Sequence, residues 1–395
     1  MDTLIELYDE RAVENMIGPE VFRPKQVVYL CPVETANDRS ARETVGSFLR
    51  SRGLDVRIEF VGTSLFKADR ILNQLRGIAR RCPHCALDVT GGTDAALIAA
   101  GMFCSETAIP TFTYSRRQNR FYDIRNAAFA DNRPCELVYS VEDFFRMTGG
   151  ALRKGRVDNS LLPQYEKSFD GFFEIYKKYR RHWNELILFM QRVSQPGQYS
   201  GSLEVRGSWY QKGERGSRVH ADMEFLKDLE RLGYLSELGG EPEQDVQFRF
   251  TDAVIRSWLR DVGSVLELYM YHACRQAGIF TDVVSSAIVD WDGTVTRESV
   301  SNEIDVAASR GIIPMFISCK ACEVKTEAIN ELAVLADRFG GKGAKTAIAT
   351  TETISAAARH RAAQLGIAVI DYEELSTGRA SDRIRVIMKA DPCLV

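Results

Sequence analysis

Between residues 26 and 114 short apolar runs alternate with helix-length amphipathic runs, and this alternation constrains the fold more than any other feature. Residues 26–31 (QVVYLC) read as an apolar strand and 41–52 as a helix, with Gly53 as its stop signal. A second strand follows at 55–61, a second helix at 67–81 and a third strand at 86–90 (ALDVT). Gly91-Gly92 then opens an alanine-rich helix, 93–103, before a fourth strand at 109–114 and shorter ones at 120–124 and 136–139. Alternation at this spacing predicts an α/β fold with a parallel, doubly wound sheet. In such a sheet the loops after the strands share one edge, and ligands bind there.

At 395 residues the chain is long enough for two or three domains. Its net charge is -3, so no global basic signature announces nucleic acid. The basic stretch YKKYRRH at 176–182 reads as a solvated helix face. The N-terminal residues 1–16 are acidic and broken by charges, unlike a signal peptide, and no apolar run is long enough to cross a bilayer. The nine cysteines are odd in number and sit mostly in apolar runs, as reduced thiols do. A cytoplasmic protein without a membrane partner is expected.

Past Gly149-Gly150 the pattern changes. Residues 168–193 read as one long amphipathic helix, followed by a polar, glycine-spotted stretch at 194–207. A helix at 220–232, a short strand at 233–236, a polar turn and a strand at 246–250 give a winged-helix outline. From Gly263 the spacing of Leu266, Met270, Ala273 and Ala277 marks a helix. Asp292-Gly293 predicts a hairpin between 283–291 and 294–298. Two further strands lie within 302–320, and a helix at about 323–339, a strand at 345–350, a helix through 363 and a strand at 367–371 close the chain. The expected division is a Rossmann-like domain at 1–150, a helical, winged-helix-like linker at 151–262 and a third α/β domain at 263–395.

The segment 302–320, NEIDVAASRGIIPMFISCK, carries the chemistry. Side chains two apart on a strand share a face, so Glu303 and Asp305 are expected together, as are Ser318 and Lys320. Carboxylates beside a lysine suit a divalent cation (Mg²⁺ or Mn²⁺) held against a phosphate. The lysine would orient the nucleophile or stabilise the charge that builds in the transition state. Glu267 lies on the preceding helix near the core boundary, within expected reach of the metal or its waters. Asp292 reads as the turn residue, and Asp290 as a turn-flanking, solvent-exposed carboxylate.

Residues 263–375 resemble the PD-(D/E)xK, restriction-endonuclease-like nucleases. The likeness rests on the helix with Glu267, the hairpin, Asp305, the S-x-K of Ser318 to Lys320, and the closing strand–helix–strand unit. It implies a metal-dependent endonuclease with catalytic residues Glu267, Asp305, Ser318 and Lys320. Ser318 stands where that family has an acid. Glu303 or Glu267 is left to supply the charge, or the Cys319 backbone carbonyl to hold the metal.

Asp88 to Thr93 (DVTGGT) lies where a strand ends and a helix begins, a place suited to an anion. Thr90 and Thr93 add hydroxyls, Thr35 and Asn37 lie on the same sheet edge, and Ser115, Arg116 and Arg117 follow strand four. This segment resembles the CARF domain, the CRISPR-associated Rossmann-like sensor of cyclic oligoadenylates. The resemblance implies ligand contacts at Thr35, Asn37, Thr90, Gly91, Gly92, Thr93, Ser115 and Arg116. Asp94 stands where that family often has lysine, a contact left to Arg116 or Arg117. The order of parts resembles the CRISPR ancillary nucleases activated by cyclic tetra-adenylate. This implies a homodimer acting on DNA or RNA in type III antiviral defence. The rival from another class is a ligand-responsive transcriptional regulator using the winged-helix outline.

Three motifs fall away on context. The Cys82–Cys85 CxxC ends a helix instead of opening one, the Cys319–Cys322 pair reads as buried thiols, and GGKGAKT at 340–346 lies between helix and strand, the reverse of a P-loop.

Overall fold

The computed structural model describes residues 1–153, 158–195, 202–213, 216–291, 293 and 301–389. The chain begins with β1 (Thr3–Leu7), α1 (Glu14–Phe22), β2 (Gln26–Pro32), α2 (Val33–Asn37), α3 (Arg39–Ser51) and β3 (Arg57–Thr63). Next come α4 (Ala68–Arg81), β4 (Cys85–Asp88), α5 (Asp94–Glu106), β5 (Thr111–Ser115) and β6 (Arg120–Arg125). The sheet order is β3-β2-β1-β4-β5-β6, parallel except for the last pair. α1 and α3 cover one face and α4 and α5 the other, the doubly wound arrangement that the alternation predicts. β1, at the centre, was not foreseen from the sequence. All five of its residues are buried, including Glu6. Residues 136–139 form no strand; Tyr139 N–H instead donates to the Gly311 carbonyl.

α6 (Val141–Arg146) and β7 (Ala151–Arg153) lead away from this sheet. The single helix expected at 168–193 is two, α7 (Glu166–Tyr179) and α8 (Trp183–Val193), separated by a 3₁₀ turn at Arg180–His182. β8 (Glu204–Ser208), β9 (Tyr210–Lys212), β10 (Arg218–His220), α9 (Met223–Arg231), β11 (Leu235–Gly239), β12 (Asp245–Phe250) and α10 (Ala253–Trp258) complete the middle region. β11 and β12 form the expected wing, and β8, from the stretch read as polar linker, adds a third strand.

The last part comprises α11 (Ser264–Ala277), β13 (Asp282–Asp290), β14 (Ser301–Arg310), β15 (Ile313–Lys320), α12 (Thr326–Gly340) and β16 (Lys345–Thr350). α13 (Ala356–Gln364), β17 (Ala368–Ile370), α14 (Tyr372–Ser376) and α15 (Ala380–Lys389) follow. Its sheet runs β17-β16-β15-β14-β13-β7, a mixed α/β arrangement. The predicted hairpin partner, 294–298, lies outside the described residues. β13 pairs with β14 instead, from Asp282↔Ser309 to Asp290↔Ser301. Its other edge takes β7, from the segment expected as linker. Asp290 is fully buried and paired with Arg153, not exposed as the turn chemistry suggested. Phe145 of α6 packs against Phe316 and Phe339, so the first sheet's unit rests on the face of the second sheet that carries α12.

Candidate functional site

The C-terminal candidate site sits where β13, β14 and β15 lose regular pairing. On β14, Ile304 and Ala307 pack with α12, while Val306 and Ala308 pack with α11. Ile304 and Ala307 are three apart, so the in-and-out alternation slips at Asp305. β13 slips opposite it: Ser286 has φ +50°, the left-handed region that a serine rarely occupies. The Asn159 side chain braces this kink, donating to the Ser285 carbonyl at 2.9 Å and accepting from Ser285 N–H at 2.7 Å. The β14–β15 ladder runs only to Val306↔Ile317. Beyond it, Asp305 Oδ2 accepts from Cys319 N–H at 2.6 Å, a carboxylate in place of a strand carbonyl.

Four expected residues meet at this opening. Lys320 Nζ lies 3.7 Å from Asp305 Oδ2, and Ser318 Oγ donates to the same oxygen at 3.3 Å. Burial pushes the Asp305 carboxyl up, and Lys320 and the Cys319 N–H oppose that rise. Glu267 reaches in from α11, its Oε2 accepting from Ser286 Oγ at 2.8 Å. Burial, then Asp305, pushes its pKa up to about 8, with Asp261 and Glu303 adding to the rise. Glu303 itself is exposed, and it lies near enough to Glu267 to add to the rise of that carboxyl. Among the described residues no three His, Cys, Asp or Glu side chains are gathered as a metal cage. The Cys319 thiol is buried in the core, pushed well above its ordinary pKa. Its N–H to Asp305 keeps the Cys319 backbone beside the site.

Two largely buried carboxylates, with Asp305 raising the cost of ionising Glu267 and one half-buried lysine beside Asp305, form a pocket short of positive charge. That donor set fits a hard divalent cation, since Mg²⁺ commonly takes one or two carboxylates and fills its remaining positions with water and phosphate oxygens.

A second site lies between the first sheet and α12, in a cavity of about 1080 Å³. It is lined by the segment after β1 (Tyr8, Asp9 and Arg11), by Gly92 and Thr93, and by Asp337 and Arg338 of α12. Ion pairs cross it: Arg11 to Asp337 at 3.5 Å and Lys342 to Asp9 at 3.3 Å. Of the eight expected contacts, Gly92 and Thr93 line the cavity. Thr90 Oγ1 accepts from Tyr114 N–H at 2.9 Å, which ties the loop to β5. Thr93 caps α5 and donates to the Leu65 carbonyl. A Cβ on Gly91 or Gly92 would press on Leu7, so both glycines serve first the close approach of β1. Thr35 and Asn37 sit on α2 beyond the lining, and Ser115 ends β5. Arg116, expected to meet a polyanion, pairs with Glu14 at 2.6 Å and lies against Gly343. Sequence reasoning missed Tyr8, Asp9 and Arg11 because it missed β1, the strand that delivers them.

No protein-family model and no curated protein matches the sequence. Solved structures match along nearly its whole length, among them the following two. Protein VC1899 from Vibrio cholerae aligns over 98% of this chain and 99% of its own, at 15% identity and a TM-score of 0.74. Can2 from Sulfobacillus thermosulfidooxidans, solved in complex with cyclic tetra-adenylate, aligns over 98% and 99%, at 17% identity and a TM-score of 0.68. This chain has their fold. The match spans the first sheet, the middle region and the second six-stranded sheet together, so the order of parts is shared as well as each part.

Proposed function

We propose that this chain is a CRISPR ancillary nuclease, a metal-dependent endonuclease switched on by a cyclic oligoadenylate in type III antiviral defence. The observation that carries the reading is the convergence of Glu267, Asp305 and Lys320 on one splayed strand end. Shared fold with Can2, which was solved with cyclic tetra-adenylate, supports the choice of activator. The cavity of about 1080 Å³ beside the DVTGGT loop is large enough for part of such a ring and carries Arg11, Arg338 and Lys342 for its phosphates.

In this reading Asp305 and Glu267 hold Mg²⁺ or Mn²⁺. The bound cation supplies charge neutralisation and an acidified water. Ser286 keeps one Glu267 oxygen fixed, and the Cys319 N–H and Ser318 hydroxyl fix Asp305. Lys320 is placed to donate to a phosphate oxygen as its charge grows. The activator must bind the cutting state more tightly than the resting one. Two copies are expected to share the ring, because a two-fold ligand suits a two-fold interface. The exposed apolar stripe of α5 supports pairing there: Ile98 is 61% exposed and Met102 46%, with Phe66 90% exposed nearby.

The test is cleavage of plasmid, single-stranded DNA and RNA with Mg²⁺ or Mn²⁺, with and without cyclic tetra-adenylate. Cutting is expected only with both additions. Asp305→Ala and Lys320→Ala should abolish it while retaining activator binding; normal cutting by either variant refutes the site.

A further inference from the structure

We infer that Glu6 and Asp88 hold one proton between them, and that this shared proton positions the 90–93 loop at the cavity mouth. The two residues are register partners on the neighbouring parallel strands β1 and β4, so their side chains share a face. Each is 1% exposed. Gly18 of α1 lies directly beneath both carboxyls, and a Cβ there would overlap an oxygen of each. Glu6 Oε1 and Asp88 Oδ2, the oxygens that meet over Gly18, have no hydrogen-bond partner among the described residues.

The surroundings offer no cation. Tyr29 of β2 donates its hydroxyl to the Asn15 carbonyl, and Glu20 of α1 is tied to Arg52 and Tyr139. No lysine or arginine is among the groups that shift either carboxyl. Two buried carboxylates side by side cannot both ionise without a counter-charge, so the pair retains a proton. Asp88 is the better anion, because its Oδ1 accepts from Thr90 N–H at 2.8 Å. Glu6, which lacks such a donor, is the acid. Burial and Asp88 push its pKa well above the ordinary value, and burial lifts Asp88 to about 7. The bond from Thr90 to Asp88 shapes the turn that leads to Gly92 and Thr93 in the cavity wall. Loss of the proton would set two charges against each other beneath that turn.

The sign follows from linkage. Both folded pKa values lie above the unfolded ones, so the pair's contribution to stability is most favourable at low pH and is lost as pH rises from about 4.5 towards and beyond 7. The full-length chain is unfolded with urea at half-unit steps from pH 5 to 8, as wild type, Glu6→Gln and Asp88→Asn. For wild type the unfolding constant should climb by up to tenfold per pH unit for each carboxyl held protonated. Glu6→Gln stays neutral and can donate to Asp88, so its profile should be flatter by up to that factor. Asp88→Asn should flatten the same window and carries the test if Glu6→Gln does not fold. Parallel profiles for wild type and variant overturn the proposal.

A second readout rests on the proposed activator. Wild-type affinity for cyclic tetra-adenylate should fall at least threefold from pH 6 to 8, and that of Glu6→Gln should not. Equal pH dependence in the two also overturns the positioning role. If wild type binds none at any pH, the activator reading fails, while the urea profiles still decide the shared proton.

Discussion

Replacing Glu267 with glutamine should make the metal-free protein more stable while it destroys the cation site. A carboxyl moved from 4.5 to about 8 stays protonated in the fold long after it has ionised in the unfolded chain. Each pKa unit corresponds to about 1.4 kcal/mol, so the penalty approaches about 5 kcal/mol at full ionisation, an upper limit that water entering the splayed strands lowers. The penalty is absent below the unfolded value, grows from about pH 4.5, and levels off above about pH 8. Glu267→Gln preserves shape and an acceptor for the Ser286 hydroxyl, and it has no charge to lose. In chelator, urea unfolding at pH 8 should show the variant more stable than wild type by about 2–4 kcal/mol, with the gap closing at pH 5. Saturating Mn²⁺ should restore wild type at pH 8 and leave the variant unchanged, because only wild type supplies the second carboxylate. The Glu6–Asp88 pair contributes a slope of the same sign, so the difference between the two proteins is the quantity that matters. A variant no more stable than wild type at pH 8, or one stabilised equally by Mn²⁺, would refute the reasoning.

Ser286→Ala removes the hydroxyl that opposes the rise of Glu267, so in chelator the pH-dependent loss of stability should extend to higher pH than in wild type, read by urea unfolding between pH 6 and 9. Ile98→Asp places a charge in the exposed stripe of α5 and should leave a monomer in sedimentation velocity, with urea stability unchanged. Asp337→Asn frees Arg11 from a solvent-exposed ion pair at the cavity. Such pairs contribute up to about 1 kcal/mol, so cyclic tetra-adenylate should bind two- to fivefold tighter by calorimetry; weaker binding would show that Asp337 is itself a ligand contact.

The strand–helix alternation made the first sheet legible apart from its centre. β1 escaped because five residues that include an acid, after an acidic residue and before more charges, look like a charged tail. Asp305 and Lys320 were legible because a tight turn at Gly311-Ile312 pairs the adjacent strands that carry them. The slip at Asp305 was not, since it depends on a left-handed Ser286 and on Asn159, both remote in sequence. The cavity was hidden for a similar reason. Its pair Lys342 to Asp9 joins residues 333 apart, a distance that no local pattern records. The broken helix at Arg180–His182 likewise answers to tertiary contacts: Arg180 hydrogen-bonds the Thr351 carbonyl and stacks on Tyr372 at 4.1 Å.

Calorimetric titration of Mn²⁺ into wild type, Asp305→Ala and Lys320→Ala at pH 8, read beside cleavage by the same preparations with cyclic tetra-adenylate present, bears most directly on the central claim. One site built from Asp305 and Glu267 for the cation and from Lys320 for the phosphate requires that Asp305→Ala lose both binding and cutting. Lys320→Ala should keep the cation and lose only cutting. Undiminished Mn²⁺ binding by Asp305→Ala would contradict the account.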